Sequence, residues 1–385
     1  MKRRVGQRTL RPPFISLMAT VLFMAMLASV LTWGRDLAGR VFIASCRLPV
    51  PDGDFAVAQT TLQIPRAQSP RAGLEPFNID VWYPGELRNQ PARASSWRFC
   101  SPSSLLRTPR ANGIADAPVA RAFTKYPALI YVPGWGGHRG DNTFALANLA
   151  SHGYVVMSFD DIVIDDRRAA PLNRHNIEDF GAFDYSSEQA FAQTRVLANR
   201  RLPRMVAKAS TVLDRLQELD RAGTPWLLKG RVDFSRIGIF GFSFGGAVAS
   251  EATLIDSRFS VAINMDGGMV FGRVRKEGVP VPFLALNSDF PDLHSALHSQ
   301  NDAHRFIAQL TVEDSSNQDR QGKRPDSTIV IIPGTTHTDF SDGLFMNDLR
   351  SLITLRYRSS KEQLKLRTTL DEYLLTFLNK YLRVK

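Results

Sequence analysis

The run Arg236-Ile237-Gly238-Ile239-Phe240-Gly241-Phe242-Ser243-Phe244-Gly245-Gly246-Ala247-Val248-Ala249-Ser250 constrains this chain more than any other stretch. An apolar strand passes through Gly-x-Ser-x-Gly directly into a helix-compatible segment. Small residues are required at 241 and 245, because so tight a turn brings the strand and helix backbones together. The turn thrusts the Ser243 side chain out of the sheet and sets it at a helix N-terminus, where free N–H groups and the helix dipole favour negative charge. A serine incidental to a Gly-rich turn is the plainer alternative, and the strand–turn–helix setting argues for a nucleophile instead.

The surrounding pattern fixes the class. Short apolar runs at Pro127–Val132, Tyr154–Phe159, Ile237–Phe240, Val261–Ile263, Phe283–Leu286 and Thr328–Ile332 alternate with helical stretches. Asp141–Ser151 and about Lys361–Leu382 are two such stretches. Another is Met205–Leu219, whose Val206, Ala209, Val212, Leu213, Leu216 and Leu219 fall on one face. Uninterrupted strands with helical crossovers predict an α/β fold, a mostly parallel sheet with helices on both faces. Ligands then sit beyond the C-terminal strand ends. Phe77–Tyr83 alternates apolar and polar residues as a half-buried strand does. The α/β domain is placed at 76–385, with 34–75 as a tether and irregular lead-in and 84–124 as a long surface connection. The charged stretch 161–203, with a short helix near Ser187–Asn199, reads either as part of a cap or as a solvated loop.

The first residues are of another kind. Lys2, Arg3, Arg4, Arg8 and Arg11 supply +5 within a basic cytoplasmic stub, 1–12, leaving +6 of the net +11 for the rest of the chain. That spread does not form the basic stripe of a nucleic-acid binder, so no nucleic-acid partner is predicted. Within 13–33, the 20 residues Phe14–Trp33 carry no charge. At 1.5 Å per residue they match a hydrocarbon layer roughly 30 Å thick. The segment reads as an uncleaved transmembrane anchor in preference to a signal peptide, being longer than a usual signal core and lacking a clean small-x-small site. The cations before it place the remaining chain outside the cytoplasm, periplasmic or extracellular, or secreted if the segment is cleaved. Cys46 and Cys100 are too few for a disulfide scaffold or a Cys-based zinc site, and they read as one bridge in an exported chain or as two unrelated thiols. No metal and no cofactor is predicted.

A serine at neutral pH needs a base. His337, just beyond the strand Thr328–Ile332, satisfies the chain order Ser, acid, His of hydrolases built on such sheets. Its rivals are His138, His152 and His175, which precede the serine, and His294, His298 and His304 on a helix or loop. Two carboxylates compete to orient the imidazole: Asp266 at the end of the strand after the elbow, and Asp289 at the end of the next. Spacing alone leaves both open. The developing oxyanion requires two N–H donors. One is expected from Phe244, after the nucleophile, and the other from Trp135 in the turn Pro133-Gly134-Trp135-Gly136-Gly137. Phe242 and Phe244 read equally as walls of an acyl pocket or as packing for the elbow.

The sequence resembles the plasma-type platelet-activating factor acetylhydrolase family, a branch of the α/β-hydrolases related to bacterial esterases and cutinase-like enzymes. The resemblance covers roughly Phe77–Phe345. It rests on Pro133–Gly137, Leu149-Ala150-Ser151-His152-Gly153-Tyr154, Gly241–Gly246, Ile263-Asn264-Met265-Asp266-Gly267 and His337-Thr338-Asp339-Phe340-Ser341-Asp342. It implies Asp266 as the acid over Asp289, and Trp135 and Phe244 as oxyanion donors. It also implies hydrolysis of short or oxidised acyl chains from phospholipids, without a metal. The family usually has His-Gly where this chain has Pro133-Gly134, a departure at the flank of the oxyanion turn. The expected protein is therefore a serine hydrolase acting on a small ester or phospholipid, held at the membrane by its N-terminal helix. The alternatives are a non-catalytic binding protein on the same fold, or a dienelactone-type or peptidase-type serine hydrolase.

Overall fold

The computed structural model of the protein describes residues 48–64, 74, 76–86, 94–96, 110–161, 187–222, 225–268, 272–289, 326–345 and 358–383, all of them in one of the chain's two units. The basic stub, the anchor or signal segment at 13–33, Cys46, Cys100 and residues 162–186 lie outside them. No helix among the described residues is long and apolar enough to cross a membrane.

Strands form where apolar residues run without interruption. β5 (Tyr126–Val132), β6 (Val155–Phe159) and β9 (Phe283–Ser288) are buried along their whole length, as strands covered on both faces must be. With β7 (Val232–Phe242), β8 (Phe259–Met265) and β10 (Ser327–Ile332), they make a parallel block in the order β10-β9-β8-β7-β5-β6. β2 (Phe77–Gly85) adds antiparallel to β6, and β1 (Ala56–Ile64) antiparallel to β2. β4 (Arg110–Ala115) and β3 (Ala94–Ser96) complete a mostly parallel, mixed sheet of ten strands among the described residues.

Two stretches differ from expectation. The region read as a tether contains β1, whose register with β2 runs unbroken from Ala56↔Gly85 to Ile64↔Phe77. The region read as a surface connection contains β3 and β4, and Tyr83 donates its hydroxyl to the Ala117 carbonyl at 2.7 Å. Both belong to the far edge of the sheet, where β3 and β4 are only three and six residues long and polar residues interrupt β1, so their apolar signal is weak.

The helices wind on both faces. α1 (Thr143–Ser151) follows β5 and packs with the C-terminal helix α4 (Ser360–Leu382). α2 (Glu188–Arg221), which follows β6, packs with α3 (Phe244–Ile255) over the opposite face. α2 corrects a further expectation, since the short helix near 187–199 and the one at 205–219 are a single helix running through Pro203. An interior proline costs about 3 kcal/mol. Leu202, Met205, Val206, Val212, Leu213 and Leu216 are all buried on this helix, each stabilising by about 1.5–3 kcal/mol. Burial wins, and the carbonyl that Pro203 cannot bond belongs to the exposed Asn199.

From β5 the chain steps to β6 on one side and then, through α2, to β7 on the other. β5 is thus the strand where the winding reverses, and the crevice beyond its C-terminal end is where such sheets bind ligands.

Candidate active site

Four strand ends build the site. β7 ends at Phe242 and α3 begins at Phe244, which leaves Ser243 alone in the turn at φ 56°, ψ −127°. Only Asp116, Ser243 and Asp266 have positive φ among the described non-glycine residues. Two of the three strained positions are therefore at strand ends in this crevice, where such strain is usually found. The glycines permit the geometry. A Cβ on Gly245 would lie 2.1 Å from the Val132 carbonyl oxygen, so no other residue lets α3 start this close to β5. The Ser243 N–H is held by the Met265 carbonyl at 2.9 Å, tying the elbow to the end of β8.

His337 opens a short 3-10 turn, His337–Phe340, beyond β10. The segment is fixed from both sides. Asp339 caps it by accepting the Thr336 N–H at 2.6 Å, and Arg358 pairs with Asp339 at 2.7 Å. Further on, the Asp342 carboxylate accepts the Thr143 and Phe144 N–H groups at 3.0 Å each, at the N-terminus of α1. Asn142 donates to the Phe340 carbonyl at 2.9 Å. Burial pushes the Asp342 carboxyl up to about 7 against these two N–H donors.

The side chains meet in a line. Ser243 Oγ lies 2.9 Å from His337 Nε2, and Asp266 Oδ2 lies 2.7 Å from His337 Nδ1. The Asp266 side chain is 8% exposed and the imidazole 39%, so the acid is screened while the histidine opens to the crevice. Ser288 steadies the acid: its N–H donates to Asp266 Oδ1 at 2.8 Å, and its hydroxyl lies 3.0 Å from both carboxylate oxygens. Asp289 is not brought to the imidazole; its carboxylate accepts the Gly334 N–H at 2.8 Å. Of the rival histidines, His152 pairs with Asp52 at 3.0 Å, and His138 sits in the β5–α1 connection. His175, His294, His298 and His304 lie outside the described residues.

The turn 133–137 reaches the serine: a Cβ on Gly134 would stand 3.3 Å from Ser243 Cβ. The Trp135 ring meets the Phe244 ring edge-on at 4.9 Å. Phe244 is 2% exposed, and it packs the elbow and the core behind it. Phe242 is half-buried and lies against the His337 ring at 4.8 Å. Ser288, Asp342 and Asp161, the last of which receives the Gly136 N–H at 2.8 Å, went unread in the sequence. Their one signal was position, since Ser288 and Asp161 each end or follow a buried strand and Asp342 closes the histidine motif.

His138 carries a pH dependence. Its Nδ1 accepts the Gly140 N–H at 3.1 Å and its Nε2 lies 3.3 Å from Asp141, an arrangement that suits a neutral ring. Burial, then the Arg139 charge, push it down to about 4. The unfolded chain takes up a proton near pH 6.5 and the folded chain does not, so this group withdraws stability as pH falls from about 6.5 to 4. The ceiling is about 3 kcal/mol, reduced because 24% of the side chain meets solvent. His138→Gln should flatten the acid side of the stability profile, read as the difference between variant and wild type in urea unfolding at pH 7 and pH 4.5. Equal losses in both proteins would refute it.

A mostly parallel, doubly wound sheet with a strand–turn–helix elbow and a strand-end histidine and aspartate is an α/β-hydrolase-like architecture. The comparisons agree with it. A solved structure, the ferulic acid esterase from Streptomyces cinnamoneus, superposes with a TM-score of 0.60 at 21% identity, covering 88% of this chain and 94% of the other. The family model for platelet-activating factor acetylhydrolase, isoform II, matches residues 103–385, and the chain belongs to that family. Among curated proteins, platelet-activating factor acetylhydrolase of Cavia porcellus is 24% identical over 278 residues, 67% of this chain and 58% of that protein. The protein of the same name from Bos taurus is 25% identical over 189 residues, 44% of this chain and 41% of that one. The chain thus spans about three fifths or less of the length of these relatives.

Proposed function

We propose that this protein is a serine carboxylic-ester hydrolase that cleaves short acyl esters, the sn-2 acyl group of phospholipids among them, through an acyl-enzyme. The observation that carries the reading is the unbroken line from Ser243 Oγ through His337 to Asp266, at 2.9 and 2.7 Å. In this reading His337 Nε2 takes the Ser243 proton as Oγ attacks the carbonyl carbon. Asp266 holds the Nδ1–H tautomer and stabilises the imidazolium. The N–H groups of Trp135 and Phe244 receive the oxyanion, the second at the start of α3 where the helix dipole adds to it. The imidazolium then protonates the departing alcohol, and water, deprotonated by His337, releases the acid. Family membership supports the ester, and phospholipid is supported by what the named relatives act on.

An ester series tests the substrate class. Turnover of p-nitrophenyl acetate and of a short-chain sn-2 phospholipid should exceed that of p-nitrophenyl palmitate and of a peptide anilide by at least about tenfold. Preference for the long chain or the anilide would overturn the proposal. We further propose that 13–33 anchors the chain and that the α/β domain, β1 included, works outside the cytoplasm, periplasmic or extracellular, or is secreted where the segment is cleaved. Protection of the hydrolase portion from protease in spheroplasts, together with its absence from the medium, would exclude this.

A further inference from the structure

A Gly-rich turn has little reason of its own to hold one shape, yet the hydrolase reading asks the turn 133–137 to present the Trp135 N–H at a fixed place. The structure ties this turn to α2 through two side chains. Asp161, just past β6 and 7% exposed, divides its carboxylate. Oδ2 accepts the Gly136 N–H at 2.8 Å, and Oδ1 faces Arg201 Nε at 3.0 Å and an Arg201 terminal nitrogen at 2.6 Å. The Asp161 N–H returns a hydrogen bond to the Gly137 carbonyl at 3.1 Å. The same Arg201 guanidinium lies over the Trp135 ring, 4.8 Å from its centroid. Seven residues along α2, on the same helix face, Lys208 donates to the Asp160 and Asp161 carbonyls at 2.7 and 3.1 Å.

We infer that Asp161 and Arg201 are positioning residues for the oxyanion turn, a clamp by which α2 holds Trp135 and Gly136 against Phe244. The inference rests on the hydrolase reading and deepens it. Neither residue touches the reacting atoms. Asp161 fixes the peptide that follows Trp135, and Arg201 fixes the indole, which in turn leans on the residue after Ser243. The chemistry of arginine suits the task, because a planar guanidinium can pair edge-on with a carboxylate while its face lies on an aromatic ring. A lysine keeps the charge and loses that double use.

The test compares Arg201→Lys, Asp161→Asn and the double variant with wild type, each checked for fold by circular dichroism and thermal unfolding. Two readouts are taken: kcat and KM on p-nitrophenyl acetate, and Ki for an aryl trifluoromethyl ketone, whose adduct leaves an oxyanion in the same place. Expected in each single variant is a fall in kcat of about 10- to 100-fold, less than the loss of a whole donor. KM should stay within about threefold, and Ki should rise by the same factor as kcat falls. The double variant should be no worse than the weaker single, as for residues acting as one unit. A brace serving stability alone would move the unfolding temperature and leave Ki unchanged, and that result overturns the inference. So does kcat within about twofold of wild type, a loss confined to KM, or failure of both single variants to fold. A wild type that no fluorophosphonate labels overturns the hydrolase reading and this clamp with it. Labelling of wild type with unaffected variants overturns the clamp alone.

Discussion

Ser243→Ala is expected to lower kcat on p-nitrophenyl acetate by about five to six orders of magnitude, with KM and the folded state retained. The size follows from the geometry. Ser243 Oγ stands 2.9 Å from His337 Nε2, and removal of a nucleophile that acts as one unit with its base costs about as much as removal of the whole group. Residual activity of about 10³-fold over water would still come from the oxyanion donors and from binding. Alanine fits the space left by the hydroxyl and inherits the φ of 56°, so the elbow has no new clash. Fluorophosphonate labelling should vanish in parallel. Labelling that persists in the alanine variant would transfer the nucleophile elsewhere and end the assignment.

The second large effect separates two aspartates that spacing could not. Asp266→Asn should depress kcat by about 10⁴-fold, because an amide turned toward Nδ1 favours the wrong tautomer and offers no charge to the imidazolium. Asp289→Asn should change kcat by no more than a few-fold. Its role in the structure is to accept the Gly334 N–H at 2.8 Å, and an amide oxygen does that nearly as well. Collapse in the Asp289 variant beside a healthy Asp266 variant would reverse the roles. Fluorophosphonate reactivity at Ser243 should fall with the Asp266 change, since the base is then poorly held.

How much of this could be read from the residues alone varies with burial. The central strands β5 to β9 were legible because each is a short apolar run closed by glycine, proline or aspartate. The elbow was legible because its glycines are a steric necessity. β1 escaped notice because Gln59, Thr60, Thr61 and Gln63 dilute its pattern, although Gln59 is itself 4% exposed. Pro203 lies between the two helical stretches that were read separately: its local cost is plain in sequence, while the apolar seam that outweighs it requires both flanking segments to be seen as one helix. At the site, Ser243 and His337 stood out because strand ends are where chemistry is sought on such sheets, whereas Asp266 shared that position with Asp289 and was preferred only through the family resemblance. Asp161, Arg201 and Ser288 did not stand out, since each works through a partner 22 to 40 positions away in the chain. Asp342 grips α1 from 198 and 199 positions away, a distance that no local pattern reveals.

The placing of β2 has a practical corollary for anyone trimming this chain. The family match begins at residue 103, yet β2, upstream of that point, seals the flank of β6 along Ile79↔Phe159 to Trp82↔Val156 and contributes Asp80, 2.7 Å from the buried Arg139. A fragment cut where homology starts would bare a row of unsatisfied peptide groups and take from the buried Arg139 one of its two carboxylate partners, Asp80, leaving Asp160 alone to pair it, inviting chains to zip together. The cooperative piece is longer than the recognisable one, and its border falls before Ala56.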